Sequence, residues 1–216
     1  MAQAAGPDRG RGRANGNSPL TATGARRSRR VRFARRRSDA LIFVAAVAVL
    51  AVSAIPIDPR HVGGFEARVF HFVNEWPASL FWPIWIVMQL GNFFAVVVVG
   101  VLALLTRRGR PAVDLVLSGV GAWVLAKVVK QVVSRGRPGQ LLSDVILHHA
   151  PAAGHGFVAG HAATAFALAT AAFPYLGRRT RWVMVALATI VAIARVYVGA
   201  HLPLDVIGGA ALGVAV

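Results

Sequence analysis

Three short segments bring Lys, Arg, His and Asp side chains together in a chain that is otherwise poor in charge. Guanidinium and ammonium groups bind phosphate through charge-assisted hydrogen bonds, and imidazoles exchange protons near neutral pH. These residue types indicate chemistry on a phosphoryl group. The segments are KQVVSRGRP with Lys130, Arg137 and Pro138, GFVAGHAA with Gly160 and His161, and ARVYVGAHLPLD with Arg195, His201 and Asp205.

The third segment predicts a nucleophile and the carboxylate that orients it. Asp205 follows His201 by four residues, and Pro203 suits the first position of a helix whose first turn would then contain Asp205. A carboxylate that holds one ring N–H fixes the tautomer and leaves the other nitrogen free to attack phosphorus. We therefore predict His201 as the nucleophile and Asp205 as its orienting residue.

The second segment supplies the complementary acid. His161 comes from a different helix and, with an ordinary pKa near 6.5, can protonate the departing alkoxide and later activate water. Gly160 opens that helix, where a missing side chain permits close approach of an anion to the helix N-terminus. Lys130, Arg137 and Arg195 would hold the phosphate.

Composition indicates that membrane helices position these residues. The chain is 56% hydrophobic with 8 acidic residues, and its mean hydropathy is +0.59, which is too apolar for an ordinary soluble domain. No Cys is present, which excludes a thiolate nucleophile and a Cys-type zinc site. We expect no cofactor.

The net charge of +16 is concentrated in the first 38 residues, which hold eleven Arg and one Asp. This segment has no apolar periodicity and is predicted to be a disordered polybasic cytoplasmic tail. Such a run could bind nucleic acid, but it directly precedes an apolar stretch, where basic residues contact anionic lipid. We therefore predict no nucleic-acid partner.

Six apolar stretches predict six membrane spans in a domain covering residues 39–216. Arginines in the loops near residues 107–110 and 178–181 place those loops on the cytoplasmic side with the tail, so all three polar segments share the outer side. The last stretch reaches only about 22 Å as a helix, so a short extension beyond Val216 is expected. The predicted spans are 40–57, 80–105, 112–133, 157–175, 182–198 and 202–216.

Each polar residue taken alone has an ordinary structural explanation. A single His in a loop is usually solvated, a Lys or Arg at the end of a span usually extends to the interface, and Asp205 could only begin a helix. The ordered set on one side of the membrane makes that explanation improbable. The functional case is weaker for Lys127, Arg135, His148, His149 and His155, and a metal site that includes Asp144 lacks familiar ligand spacing.

The first and third segments resemble signatures of the type 2 phosphatidic acid phosphatase superfamily, also called lipid phosphate phosphatases. The signature KxxxxxxRP is matched by Lys130, Arg137 and Pro138. The signature SRxxxxxHxxxD is matched except at its opening Ser, where this chain has Ala194. The resemblance covers roughly residues 40–216 and implies an all-α, six-helix membrane bundle with its active site at the extracytoplasmic ends of helices 3 to 6.

The second segment matches the family signature PSGH only through Gly160 and His161, because Val158 and Ala159 replace Pro and Ser. The resemblance implies a phosphohistidine intermediate on His201, no metal requirement, and a phosphate contact at the position of Ala159. We expect hydrolysis of a phosphate or diphosphate headgroup from a membrane lipid such as a prenyl phosphate or phosphatidate. The alternatives are a lipid-linked phosphotransferase and a weakly active or non-catalytic lipid-phosphate-binding protein.

Overall fold

A computed structural model describes residues 37–216, so nearly all of the predicted polybasic tail lies outside the described residues. Within that range the regular structure is helical and contains no strand, which confirms the all-α prediction. Three short 3-10 turns supplement the α-helices. In chain order the helices are α1 (Arg37–Ala54), α2 (Gly64–Asn74), α3 (Phe81–Met88), α4 (Phe93–Leu105), α5 (Gly109–Val132), α6 (Pro138–Leu141), α7 (Gly160–Ala172), α8 (Arg178–Tyr197) and α9 (Pro203–Ala215).

Three of these helices, α1, α5 and α8, are long and apolar enough to cross a membrane. The predicted second span is broken: its two halves, Ala78–Gly91 and Phe93–Leu105, meet at 65° and make a fourth crossing only if they are counted together. Asn92 at the break accepts a hydrogen bond from the Phe94 amide and so begins α4. The helices α7 and α9 have 13 residues each, about 20 Å of helix. Six spans therefore remain a prediction.

Small residues let α7 lie at the centre of the bundle against α5, α8 and α9. Alanine dominates its buried surface, so neighbouring backbones approach closely. A Cβ atom on Gly209 of α9 would lie 2.5 Å from the carbonyl oxygen of Ala159, a distance that real side chains do not tolerate. The residue that precedes α7 is consequently held against the second turn of α9, which brings the second and third polar segments together.

The short helix α2 packs one face against the same end of the bundle. Its buried residues Glu66, Phe70 and Asn74 recur every fourth position and therefore share a face. Asn74 donates from Nδ2 to the carbonyl oxygens of Ile146 and Tyr197, at 2.9 and 2.8 Å, and accepts from the Ile146 amide. This side chain joins α2, the loop before α7 and the end of α8 next to the polar residues.

Candidate active site

Asp205 lies in the first turn of α9, which begins at Pro203 as predicted. Its carboxylate is fully buried, and Oδ2 accepts a hydrogen bond from the Leu202 amide at 2.9 Å. This bond satisfies one of the free amides at the helix start and fixes the carboxylate. Asp205 is therefore fixed close to His201, which lies two residues before the first residue of the helix.

His201 is buried, and its Nδ1 lies 3.7 Å from Oδ2 of Asp205. That separation is longer than a hydrogen bond, so the carboxylate faces Nδ1 without bonding to it. A tight turn at Gly199, with φ of +75°, precedes the histidine, and a Cβ there would lie 2.7 Å from the Ile146 carbonyl oxygen. The turn directs the ring into the bundle.

The three predicted phosphate ligands lie within electrostatic range of His201. Burial, followed by the positive charges of Lys130, Arg195 and Arg137, lowers the pKa of His201 well below its usual range. The imidazole is therefore neutral at physiological pH, as a nucleophile must be. The structure thus brings the cations of the first and third segments to one histidine.

The polar contacts of these cations leave donors unused. Lys130 Nζ donates to the His155 carbonyl at 3.1 Å, Arg137 Nη1 approaches the Ala200 carbonyl at 3.5 Å, and Arg195 Nη1 contacts Met88 Sδ at 3.1 Å. The Nε atoms of Arg137 and Arg195 are buried and have no hydrogen-bond partner among the described residues. Buried guanidinium donors require acceptors, and phosphate oxygens would supply them.

His161 lies in the first turn of α7, which begins at Gly160 as predicted. Its ring is within electrostatic range of Arg195, His201 and Lys130. Together with Lys130 and Gly160, it lines a cavity of about 210 Å³. The structure therefore brings together one residue from each of the three polar segments and both predicted catalytic histidines.

Ala159 immediately precedes α7 and is fully buried. Its amide donates to the backbone carbonyl of Asp205 at 2.8 Å, so this amide is engaged within the protein. Its methyl group cannot donate a hydrogen bond, whereas a Ser hydroxyl could. Ala159 thus belongs to the wall of the site, and a phosphate contact at this position stays a prediction.

Two residues of this site were not predicted from the sequence. The functional case for Arg135 was weak there, and Glu66 was not singled out. The guanidinium of Arg135 is buried and donates to both Glu66 oxygens, at 3.0 and 2.5 Å, and to Oδ1 of Asp205 at 3.0 Å. Its Nε has no partner among the described residues. Glu66 Oε1 also accepts from the Leu204 amide at 3.0 Å. Glu66 and Arg135 therefore connect α2 to the carboxylate that faces His201.

The ion pairs favour the charged form of Arg135, which a guanidinium keeps at physiological pH. Burial by itself lowers its pKa, but the hydrogen bond to Glu66 and the charges of Asp205 and Glu66 outweigh burial, so the pKa is raised. Arg135 thus remains charged and neutralises part of the buried acidic charge. Sequence separations of 69 and 70 residues explain why no local pattern indicated these contacts.

The remaining weak candidates have structural contacts. The His148 ring stacks on Tyr197 with ring centres 4.6 Å apart, and His149 lies against Phe81 at 5.3 Å. His155 contributes its backbone carbonyl to Lys130. Among residues 37–216 no group of three His, Asp or Glu side chains is arranged to hold a metal ion. Lys127 lies at the cavity beside His161.

A sequence model of the PAP2 superfamily matches residues 85–216 of this chain. This match agrees with the arrangement of the site. The chain belongs to the PAP2 superfamily. The resemblance predicted from the three segments is thereby confirmed. Within this PAP2 chain Glu66 lies upstream of the matched region, so one of the buried charges comes from outside the part that defines the family.

Relatives with known names share much of this PAP2 domain. An undecaprenyl-diphosphatase of Sulfolobus acidocaldarius is 31% identical over 155 residues, covering 69% of this chain and 74% of the relative. A lipid A 1-phosphatase of Rhizobium johnstonii is 38% identical over 94 residues, which are 42% of this chain and 38% of the relative. The crystal structure of Aquifex aeolicus LpxE superposes with a TM-score of 0.65 at 25% identity, covering 70% of this chain and 92% of LpxE.

Proposed function

We propose that this protein hydrolyses the phosphate or diphosphate headgroup of a membrane lipid through a phosphohistidine intermediate on His201. The observation that carries the proposal is the convergence of Lys130, Arg137 and Arg195 on the buried His201. The buried Nε atoms of Arg137 and Arg195, which have no hydrogen-bond partner among the described residues, are costly unless an acceptor such as an anion meets them. A phosphoryl group beside His201 would accept hydrogen bonds from their unused donors and would lie within reach of the proposed nucleophile.

The charge of the site suits a phosphate. In their ordinary ionised forms Lys130, Arg135, Arg137 and Arg195 carry four positive charges against the two negative charges of Glu66 and Asp205, leaving +2. A phosphate monoester carries about −1.5 to −2 at pH 7. The substrate's charge is therefore balanced without an added cation, which supports the proposal of a metal-independent enzyme.

In the first step His201 attacks phosphorus through Nε2, because Nδ1 faces Asp205. The N–P bond forms while the bond from phosphorus to the leaving oxygen breaks, and His161, which takes up a proton when the bound phosphate anion offsets the neighbouring cations, donates that proton to the leaving oxygen. Asp205 stabilises the positive imidazolium, and the 3.7 Å separation tightens as charge develops on the ring. The three cations stabilise the negative charge on the phosphoryl oxygens.

In the second step water attacks the phosphohistidine. His161, now neutral, accepts a proton from that water, the N–P bond breaks, and orthophosphate leaves with His201 regenerated. His201 is then neutral again, because burial and the neighbouring cations favour the neutral ring. The enzyme has thus returned to its starting form. Neither step consumes a cofactor.

A lipid substrate is supported by the relatives' names, which describe lipid phosphatases, and by an apolar cavity. This cavity of about 290 Å³ lies between α4, α5, α7 and α8 and is lined by apolar side chains, among them Leu90. Leu90 directly precedes Gly91, which lines the cavity at His161. We propose that the lipid chain occupies the apolar cavity while its headgroup reaches His201.

We further propose that the site faces the extracytoplasmic side of the cell membrane. Arg107 and Arg108 precede α5, whereas Lys130 is near its other end, about 30 Å away along the helix axis. The same order holds in α8, which begins at Arg178 and ends next to the site. Positive residues favour the cytoplasmic side, so the opposite helix ends, and the site, would lie outside.

Phosphate release from purified protein tests this function. In detergent micelles containing a chelator, we expect orthophosphate from at least one of prenyl phosphate, prenyl diphosphate and phosphatidate. Malachite-green detection measures the rate, and acid quenching should trap a phosphorylated protein within the first turnover. Release that appears only after a divalent metal is added, with no trapped phosphoprotein, would contradict the proposal.

Ala159 favours a second candidate, a lipid-phosphate-binding protein with little activity, and Ala159→Ser distinguishes the two. We expect the wild type to be active and the variant to gain about two- to tenfold in kcat/KM, because a new hydrogen bond contributes about 0.5–1.5 kcal/mol. Ala162→Ser, also fully buried in the first turns of α7, is the matched control and should give no gain. Activity confined to Ala159→Ser would support the binding protein.

A further inference from the structure

The cavity at His161 has a polar wall that hydrolysis at His201 alone does not explain. It lies between α5, the start of α7 and the break that precedes α4, and its lining contains no carboxylate. His161 and Lys130 line it, whereas His201 does not. In the proposed mechanism His161 protonates the leaving oxygen, so the leaving group must lie on this side.

Lys127 supplies an ammonium group to this cavity. It precedes Lys130 by three residues and so lies on the same face of α5, about 5–6 Å from it between Cβ atoms. Its Nζ is 3.5 Å from the centre of the Trp123 ring, and no ion pair or hydrogen bond of Lys127 occurs within residues 37–216. The Lys127 side chain is exposed and lines the cavity, so its ammonium group is available to an anionic ligand there.

Thr164 supplies a second polar group to the same wall. The residue is fully buried, and its Oγ1 has no hydrogen-bond partner in the described part of the chain. Other helical threonines here satisfy their hydroxyls within the helix: Thr170 donates to Phe166 O and Thr189 to Val185 O, each at 2.9 Å. The Thr164 hydroxyl is thus available to a ligand in the cavity.

The chemistry of the leaving group decides which ligand fits. A lipid alcohol is neutral once His161 has protonated it, and an apolar wall would suit it best. A lipid monophosphate leaves as an anion and needs cationic and hydrogen-bonding partners. Lys127 and Thr164 match the second case.

We propose that the substrate is a lipid diphosphate whose lipid-linked phosphate binds Lys127 and Thr164 while His201 attacks the terminal phosphate. This inference rests on the proposed function. The bond between His201 and the terminal phosphorus forms, and the bond from that phosphorus to the bridging oxygen breaks. The bridging oxygen leaves on the lipid monophosphate with the electron pair and takes the proton of His161. Water then releases orthophosphate from His201.

A matched pair of substrates tests the inference: a prenyl diphosphate and the prenyl monophosphate of the same chain length, in the same micelles. We expect the wild type to prefer the diphosphate. Lys127→Met should lower kcat/KM for the diphosphate by about ten- to hundredfold, the size of a lost charged hydrogen bond, and by less than about threefold for the monophosphate. Lys127→Arg should retain most of the preference.

Threonine variants provide an isosteric test that does not depend on the folding of Lys127→Met. Thr164→Val should lower the kcat/KM for the diphosphate by about three- to tenfold and spare the monophosphate. Thr170→Val is the matched control, since its hydroxyl bonds within α7, and should change neither. The lipid monophosphate should also inhibit the wild type as a product, and less so after Thr164→Val.

The outcomes separate this inference from the proposed function. Equal losses on both lipids in Lys127→Met and Thr164→Val, or a wild type that cleaves the monophosphate as well as the diphosphate, would overturn the diphosphate assignment alone. A wild type that releases phosphate from phosphatidate but from neither prenyl lipid would also overturn the assignment alone, whereas release from none of the three lipids would overturn the proposed function and the assignment with it.

Discussion

His201→Ala is expected to lower kcat for phosphate release by at least about 10³-fold, because the variant lacks the atom that we propose forms the bond to phosphorus. Removing an enzyme's nucleophile leaves only the contribution of binding and electrostatic stabilisation. The phosphorylated protein trapped by acid quenching should disappear together with turnover. Steady-state rates and the amplitude of the first-turnover burst measure the two effects separately.

The control for this prediction is His61→Ala, because His61 is exposed. That variant should keep wild-type turnover and a wild-type burst. A loss of less than tenfold in His201→Ala, with the burst unchanged, would reject His201 as the attacking residue. His161→Ala distinguishes the roles further: it should slow turnover while phosphoprotein still forms with a substrate whose leaving group needs no proton.

Arg135→Met is expected to destabilise the protein by about 3–5 kcal/mol, the effect of removing one partner from a buried ion pair. Glu66 and Asp205 would then be two buried carboxylates without their shared cation. Asp205 would also lose the contact that holds it opposite His201, so phosphate release should fall with stability. The thermal unfolding midpoint in detergent and the phosphate-release rate provide the two readouts.

Arg68→Met is the control for this change, because Arg68 is exposed on α2 two residues after Glu66. It should leave both readouts near wild type. Adding Glu66→Gln to Arg135→Met removes one of the two uncompensated charges and should recover part of the lost stability, a coupling that a double-mutant cycle measures. An unfolding midpoint for Arg135→Met equal to that of Arg68→Met would show that these ion pairs do not stabilise the fold.

The two variants probe different aspects of one carboxylate. Asp205 shares its oxygens between the Leu202 amide, Arg135 and the side facing His201. Arg135 in turn is fixed by Glu66, whose helix α2 is anchored through Asn74. A helix outside the matched family region therefore helps to hold the carboxylate that faces the proposed nucleophile.

The sequence by itself predicted the composition of the site and identified its family. The motif spacings predicted Lys130, Arg137, His161, Arg195, His201 and Asp205 as site residues, and the structure brings their charges within electrostatic range of one another. Helix starts at Gly160 and Pro203 were predictable as well, because proline and glycine act on the local backbone within a few residues. Hydropathy likewise indicated α1, α5 and α8, since burial in lipid requires a continuous apolar stretch.

Only the tertiary structure decided the contacts between distant segments. Arg135 meets Glu66 and Asp205 across 69 and 70 residues, and neither helical periodicity nor motif spacing carries information over such distances. The 65° bend before α4 and the close approach of Gly209 to Ala159 likewise depend on how helices pack. Helix packing depends on the surfaces of two helices that face each other. It places Lys127 of α5 and Thr164 of α7 at the cavity beside His161, although the sequence around each residue gives no sign of a binding site.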